Sequence, residues 1–270
     1  MEFPLLLRNR ILVPSSERKR SGGSCAYNFS EAQGERALNR FSSLTAVRRK
    51  ALQTFLHALN GAGYAAEVLR LKGRALQQAT AKNLEFPTGP LMGVLQREHG
   101  PLFLALDAPS LDASATRRLR NDLVVVCPLL GLLAPNDQVP EYRCAVGAQI
   151  PGFGSLHALW KPHLSIALDR LGRGRRVYSF LPARLQALWA QSNTAAEMVH
   201  VVFARVKADG RLQVDHAASQ GLAGEMIRVI LSAQHTAPED LSSFRSSAGH
   251  QLRPELCKAL GRDRTLVFVR

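Results

Sequence analysis

At 270 residues, with 46% hydrophobic and 21% charged residues, the chain has the composition of a globular protein with a sizeable core. No apolar run approaches the about 18 residues that mark a membrane-spanning helix, and the opening run over 3–7 is too short for a signal segment. The formal net charge of +14 points to an anionic partner rather than an acidic or neutral surface function.

The charge is uneven. Residues 1–82 carry 14 Lys and Arg against 5 Glu, the footprint of a polyanion binder, nucleic acid first among them. Arginine is favoured over lysine throughout, which is also what a GC-rich genome produces without any ligand. Cys25, Cys127, Cys144 and Cys257 are widely spaced and form no Cys-x-x-Cys pair, so reduced thiols, a cytoplasmic location and no metal site are expected.

The pattern over 3–7 reads as a lead-in to a short buried strand over 11–13 that Pro14 ends. A basic, Gly-containing loop follows over 15–24. Ser43 or Thr45 is expected to cap a helix running to 59, stopped at Asn60 and Gly61. A second helix is expected over 64–79 and a turn over 86–90. Residues 102–106 fit a strand or a short helix, and Ser110 is the expected cap of a helix ending near 121. The β-branched run 123–127 has the character of a strand buried on both faces.

Residues 128–150 show little periodicity. Ser155 is placed to cap a helix to 171, ended by Gly172 and Gly174. Strands are expected over 176–181 and 198–207, with Asp209-Gly210 turning the latter back into a strand over 212–216. Helices are expected over 222–233, 238–244 and 254–260, and a closing strand over 265–269. Interleaved strands and helices with one antiparallel hairpin imply an α/β (or α+β) fold, a single domain over 1–270 with a mixed sheet flanked by helices.

Ser16, Glu17, Arg18, Lys19, Arg20, Gly22 and Gly23 gather hydroxyl, cationic and flexible groups beyond a strand's carboxyl end, where open α/β sheets bind ligands. The spacing is not that of a P-loop. Gly131 through Gly147 forms a second Gly-hinged stretch able to offer N–H groups and an arginine to phosphate. No Gly-x-Ser-x-Gly, His-Glu-x-x-His or Gly-x-Gly-x-x-Gly signature is present. His57 and His216 read as surface or structural residues, and Trp160 and Trp189 as core.

In order, Pro14-Ser15-Ser16-Glu17-x-Lys19 with Gly22-Gly23, then Leu129-x-Gly131-Leu132-x-x-Pro135-x-Asp137-x-x-Pro140-x-Tyr142-Arg143, then Leu156-x-x-x-Trp160, resemble the YaaA-type peroxide-stress family. Gly147 and the stretch from Gly224 to Arg228 extend the match along nearly the whole chain. The resemblance implies an α/β domain with a basic cleft, sequence-independent DNA binding through a helix-hairpin-helix-like element, and a role in limiting iron-dependent peroxide damage. The anion-binding set it suggests here is Ser16, Arg18, Lys19, Arg20, Gly131, Tyr142, Arg143, Lys161 and Arg228. Cys127-Pro128, Pro182 with Leu185, and Gln220 with Ala223 depart from the family pattern, and Pro128 lacks one N–H donor.

Those departures motivate a second expectation. An enzyme or cofactor protein of specialised metabolism, haem included, would reuse the fold with a rebuilt cleft. Glu17 would then act as acid or base, and Tyr142 and Arg143 would hold an anionic small molecule. No membrane contact is expected in either case.

Overall fold

The computed structural model describes residues 7–24, 38–61, 63–189, 197–233 and 235–270. Cys25 and residues 3–6 of the expected lead-in lie outside them. The chain opens with β1 (Asn9–Pro14), α1 (Thr45–Asn60), α2 (Ala65–Leu69), α3 (Gly73–Leu84), β2 (Met92–Gly93), α4 (Val94–Arg97) and α5 (Pro101–Leu106). Next come α6 (Ala113–Asp122), β3 (Leu123–Cys127), β4 (Gly131–Leu133), β5 (Gln138–Val139), β6 (Gln149–Ile150), β7 (Gly154–Ser155) and α7 (Leu156–Gly172). The rest comprises β8 (Arg176–Ser179), α8 (Ala183–Gln186), β9 (Glu197–Val206), β10 (Leu212–Val214), α9 (His216–Ser232), β11 (Gln251–Leu252), β12 (Lys258–Leu260) and β13 (Asp263–Val269).

The fold is α/β, built on a mixed sheet of order β11-β13-β9-β8-β1-β3-β4 flanked by helices. Its centre, β3-β1-β8-β9-β13, is parallel. Antiparallel β4, β10, β11 and β12 are added at its margins. Parallel strands need cover on both faces, and β3 shows it: every residue from Leu123 to Cys127 is wholly buried. On one group of helices, α9 lies so close to α5 that a Cβ at Gly224 would sit 2.3 Å from the Leu102 carbonyl oxygen. Among the described residues no helix is long and apolar enough to cross a membrane.

The chain runs from β1 to β3 on one side and later enters β8 on the other. The carboxyl ends of β1, β3 and β8 therefore meet at a topological switch point, and their amino ends meet at the opposite edge.

Several elements differ from their sequence expectation. The helix expected over 64–79 breaks after Leu69, where Arg70 takes a left-handed conformation (φ 54°), and resumes as α3 to Leu84. Val68 and Leu69 reach the core through that break. Residues 102–106 are helical, with Pro101 in the first turn where its missing N–H costs nothing. Asp112 rather than Ser110 caps α6, its carboxylate accepting from Ala115 N at 2.7 Å. Neither Ser43 nor Thr45 caps α1, which begins after Leu44 without a side-chain cap, and Gly61 is extended, not left-handed.

The expected helix over 254–260 is a single 3-10 turn, Pro254–Leu256, followed by β12, which pairs with β13. The segment Pro238–Ser243 is likewise a 3-10 helix. Asp215 caps α9 through Ala218 N, so His216 starts that helix instead of ending a strand, six residues before the expected position. By contrast, Ser155 caps α7 through Ala158 N at 3.1 Å, and Gly210 (φ 77°) turns β9 into β10, both as the sequence indicates.

Candidate site at the carboxyl ends of β1, β3 and β8

The loop after β1 is ordered by backbone pairing. Ser15 N donates to Val126 O, Arg20 N to Arg97 O and His99 N to Arg18 O, so residues 18–20 run as an extended strip beside 97–99. Extended backbone alternates its side chains. Lys19 accordingly turns inward, while Arg18 and Arg20 face solvent. Gly23 lets the strip close, since a Cβ there would lie 2.5 Å from Leu91 O.

Inside, Lys19 meets Glu98. Lys19 Nζ lies 3.1 Å from Glu98 Oε2 and also donates to Ser16 O, and the two side chains are 3% and 0% exposed. Glu98 Oε2 accepts a second hydrogen bond from Ser16 N at 2.6 Å, and Arg18 N donates to Ser16 Oγ. The ammonium stands 4.7 Å from the Tyr142 ring centroid, a cation–π contact strengthened by the absence of water. Tyr142 Oη and Cys127 Sγ are 3.1 Å apart, and Leu130 N donates to that sulfur. Phe86 packs edge-on against Tyr142.

Burial dominates the ionisation of this cluster. It pushes the Glu98 carboxyl above the usual carboxylate range, against the opposing pull of Lys19 and Ser16 N–H. It raises the Cys127 thiol and holds the Tyr142 phenol well above its ordinary value. Among the described residues the buried Glu98 Oε1 has no hydrogen-bond partner.

Three buried polar side chains, none apparent as site residues from the sequence, hold the surrounding turns. Arg48, 1% exposed, donates to Leu130 O and Leu132 O, and to Leu38 O and Phe41 O. Arg97, wholly buried, donates to Val139 O, Pro90 O and Arg20 O. Asn83 makes a two-way bond with the backbone of Arg143, 2.9 Å from its Nδ2 to the carbonyl and 2.8 Å from the amide to its Oδ1. Each joins segments tens of residues apart, so no local pattern marks it.

The expected site residues thus divide. Ser16, Lys19 and Tyr142 converge on Glu98. Glu17 and Arg143 form a solvent-exposed pair at 3.2 Å beside them. Gly131 (φ 75°) lies under Trp160, whose ring would be 2.7 Å from a Cβ at that position. Lys161 is exposed on α7. Arg228 is elsewhere occupied, its guanidinium donating to Leu106 O, Asp107 O and Ser110 Oγ at the end of α5. Gln220 approaches Gly100, against which Ser16 Oγ also packs.

Beside the cluster opens a cleft of about 650 Å³ lined by Arg20, Glu98, Phe103, Asp107, Arg120 and Asn136 among others. Ser246, His250 and Asp215 stand in the order of a nucleophile, base and orienting acid, but His250 is wholly buried and its own amide donates to Ser246 Oγ. That row ties the start of α9 to the carboxyl-terminal strands and offers no substrate access.

Fold and site together define an α/β protein with a desolvated charge cluster at the carboxyl ends of its parallel strands. A family model described as peroxide stress protein YaaA matches residues 10–256, and the chain belongs to that family. It is similar to a UPF0246 protein of Streptomyces coelicolor, 30% identical across 95% of this chain and 96% of the relative. A UPF0246 protein of Corynebacterium glutamicum is 29% identical across 88% of this chain and 92% of its own length. One from Flavobacterium johnsoniae is 27% identical across 63% and 67%.

Proposed function

We propose that this peroxide-stress-family protein binds the backbone of DNA without reading its sequence, and so limits iron-dependent damage to it. The observation that carries the reading is the alternation at 18–20. Lys19 is spent in the interior, and Arg18 and Arg20 are exposed on a strip fixed by backbone hydrogen bonds. Arg20 faces the same cleft as Arg120, giving that cleft two cations for phosphate. Fixed arginines on an ordered edge suit phosphate contact, which orients a duplex but carries no sequence information.

Anisotropy of labelled duplex and single-stranded DNA across a salt series tests this. Binding should weaken linearly in log salt, and Arg18→Ala/Arg20→Ala should flatten the slope by about 2, one counterion for each phosphate that is no longer neutralised. Unchanged affinity and slope in that variant would overturn the assignment.

One observation favours a second reading, a small-molecule or cofactor site that reuses the fold. Among the described residues Glu98 Oε1 is buried without a hydrogen-bond partner, beside Lys19 and Tyr142. A ligand donor there would complete its hydrogen bonding. Thermal shift across nucleotides, amino acids and haem tests it, and no shift from any of them counts against it.

A further inference from the structure

The amino ends of β1, β3 and β8 hold a second charged constellation, far from the first by the length of the strands between, about 3.3 Å per residue. A pocket of about 540 Å³ there is lined by Arg8, Arg10, Arg40, Arg117, Arg118 and Arg175. Asn121 and Asp122 complete it, so six guanidinium groups face one carboxylate and no apolar side chain.

Three of the arginines are held in place. Arg40 donates to Arg120 O and Asn121 O at 2.7 Å each, Arg10 to Asn121 O, and Arg118 to Leu231 O at 2.6 Å and Ser232 O at 3.1 Å. Arg10 and Arg40 thereby cap the carboxyl end of α6, which helix electrostatics favours. That duty needs two cations. The side chains of Arg8, Arg117 and Arg175 make no hydrogen bond or salt bridge among the described residues, and Arg8 and Arg175 share the single charge of Asp122 with Arg10 and Arg40.

Burial first, and then Arg175 and Arg40, lower the pKa of Arg10 to about 10, against the pull of Asp122. It remains a cation at neutral pH, and among the described residues its buried Nε has no hydrogen-bond partner. Burial raises the Asp122 carboxyl, against the opposing pull of Arg10, Arg175, Arg40 and Arg8. Six guanidinium groups around one carboxylate leave an excess of positive charge that an anion would neutralise.

We propose that this pocket binds a free linked-phosphate anion of the inorganic tripolyphosphate class. Planar forks match phosphate oxygens in pairs, which is why arginine rather than lysine suits the site. Among the described residues no aromatic or aliphatic side chain lines the pocket, so the phosphates are the recognised part. A pocket of about 540 Å³ that includes Arg10, itself 5% exposed, has room for a compact anion.

Isothermal titration of the full chain with sodium tripolyphosphate near physiological salt tests the site. One equivalent should bind, and Arg8→Ala/Arg175→Ala should weaken it by at least about tenfold. Arg18→Ala/Arg20→Ala should leave it within about twofold, which separates this pocket from the DNA-binding strip. The pocket variant should melt at or slightly above wild type, since it relieves repulsion, and tripolyphosphate should raise the melting temperature of wild type alone. No binding to wild type, equal loss in both variants, or loss of DNA binding in place of tripolyphosphate binding from the pocket variant would each overturn the proposal.

Discussion

The two ends of β1, β3 and β8 are both rich in cations, yet they treat charge in opposite ways. At the carboxyl ends Lys19 is paired with Glu98, stacked on Tyr142 and sealed from water, and Arg143 is paired with Glu17. At the amino ends six arginines share one carboxylate, and three of them make no bond among the described residues. At the carboxyl ends the fold consumes Lys19 and leaves only Arg18 and Arg20 of the loop exposed, while at the amino ends half of the clustered arginines remain available. Net charge therefore says that a partner is anionic, but the folded geometry decides which cations can meet it.

The largest expected effect comes from breaking the buried pair. Glu98→Ala leaves the Lys19 ammonium and Ser16 N without their buried acceptor and should cost about 3–5 kcal/mol in a denaturant titration. Lys19→Met/Glu98→Leu, which removes both charges, should recover most of that loss. A double variant as unstable as the single one would mean that the charges themselves hold the site.

Next is Asn83→Ala, which strips both hydrogen bonds from the Arg143 backbone at a wholly buried position and should cost about 1–3 kcal/mol. Gly131→Ala should cost a similar amount, about 1–3 kcal/mol, because its left-handed backbone and the Trp160 ring both oppose a methyl group.

A pH series sharpens the same comparison with a smaller effect. Burial raises the Glu98 carboxyl, so the folded state holds that proton more firmly than the unfolded state. The stability this contributes is full below the ordinary carboxylate pKa near 4.5 and is lost as pH rises through the raised folded value. Glu98→Gln mimics the protonated form while keeping an acceptor for Ser16 N. Wild type should match it in acid and fall below it towards neutral pH, and a constant gap would refute the assigned shift. Smallest of all is Arg175→Ala, expected to leave stability unchanged or raise it by a few tenths of a kcal/mol.

Much of the framework is legible in the sequence, and the reason is local. The run from Leu123 to Cys127 has no polar residue to place on a solvent face, and Asp209-Gly210 encodes its turn in two residues. Ser155 likewise signals its own helix. The left-handed break at Arg70 carries no such mark, because an arginine rarely adopts that backbone and only packing of Val68 and Leu69 requires it. Pro254 followed by Glu255 and Leu256 resembles a helix start, yet β13 captures the next residues as a strand.

The site was half visible. Ser16, Lys19 and Tyr142 stand out as polar groups in Gly-punctuated stretches beyond strands. Glu98 does not, since its meaning comes from Lys19, 79 residues away. Nor does the loop's sequence reveal that Lys19 points inward, which depends on the strip pairing with 97–99. The amino-end pocket is assembled from four separate segments around 8–10, 40, 117–122 and 175, and no one of them is conspicuous alone.

The most direct test of this sorting of charge is arginine-selective modification of the native protein with phenylglyoxal, mapped by mass spectrometry. Arg8, Arg117 and Arg175 should react rapidly, as should Arg18 and Arg20, while Arg48 and Arg97 should resist until the protein is unfolded. Rapid native modification of Arg48 and Arg97, or protection of Arg8, Arg117 and Arg175 without any added anion, would contradict it.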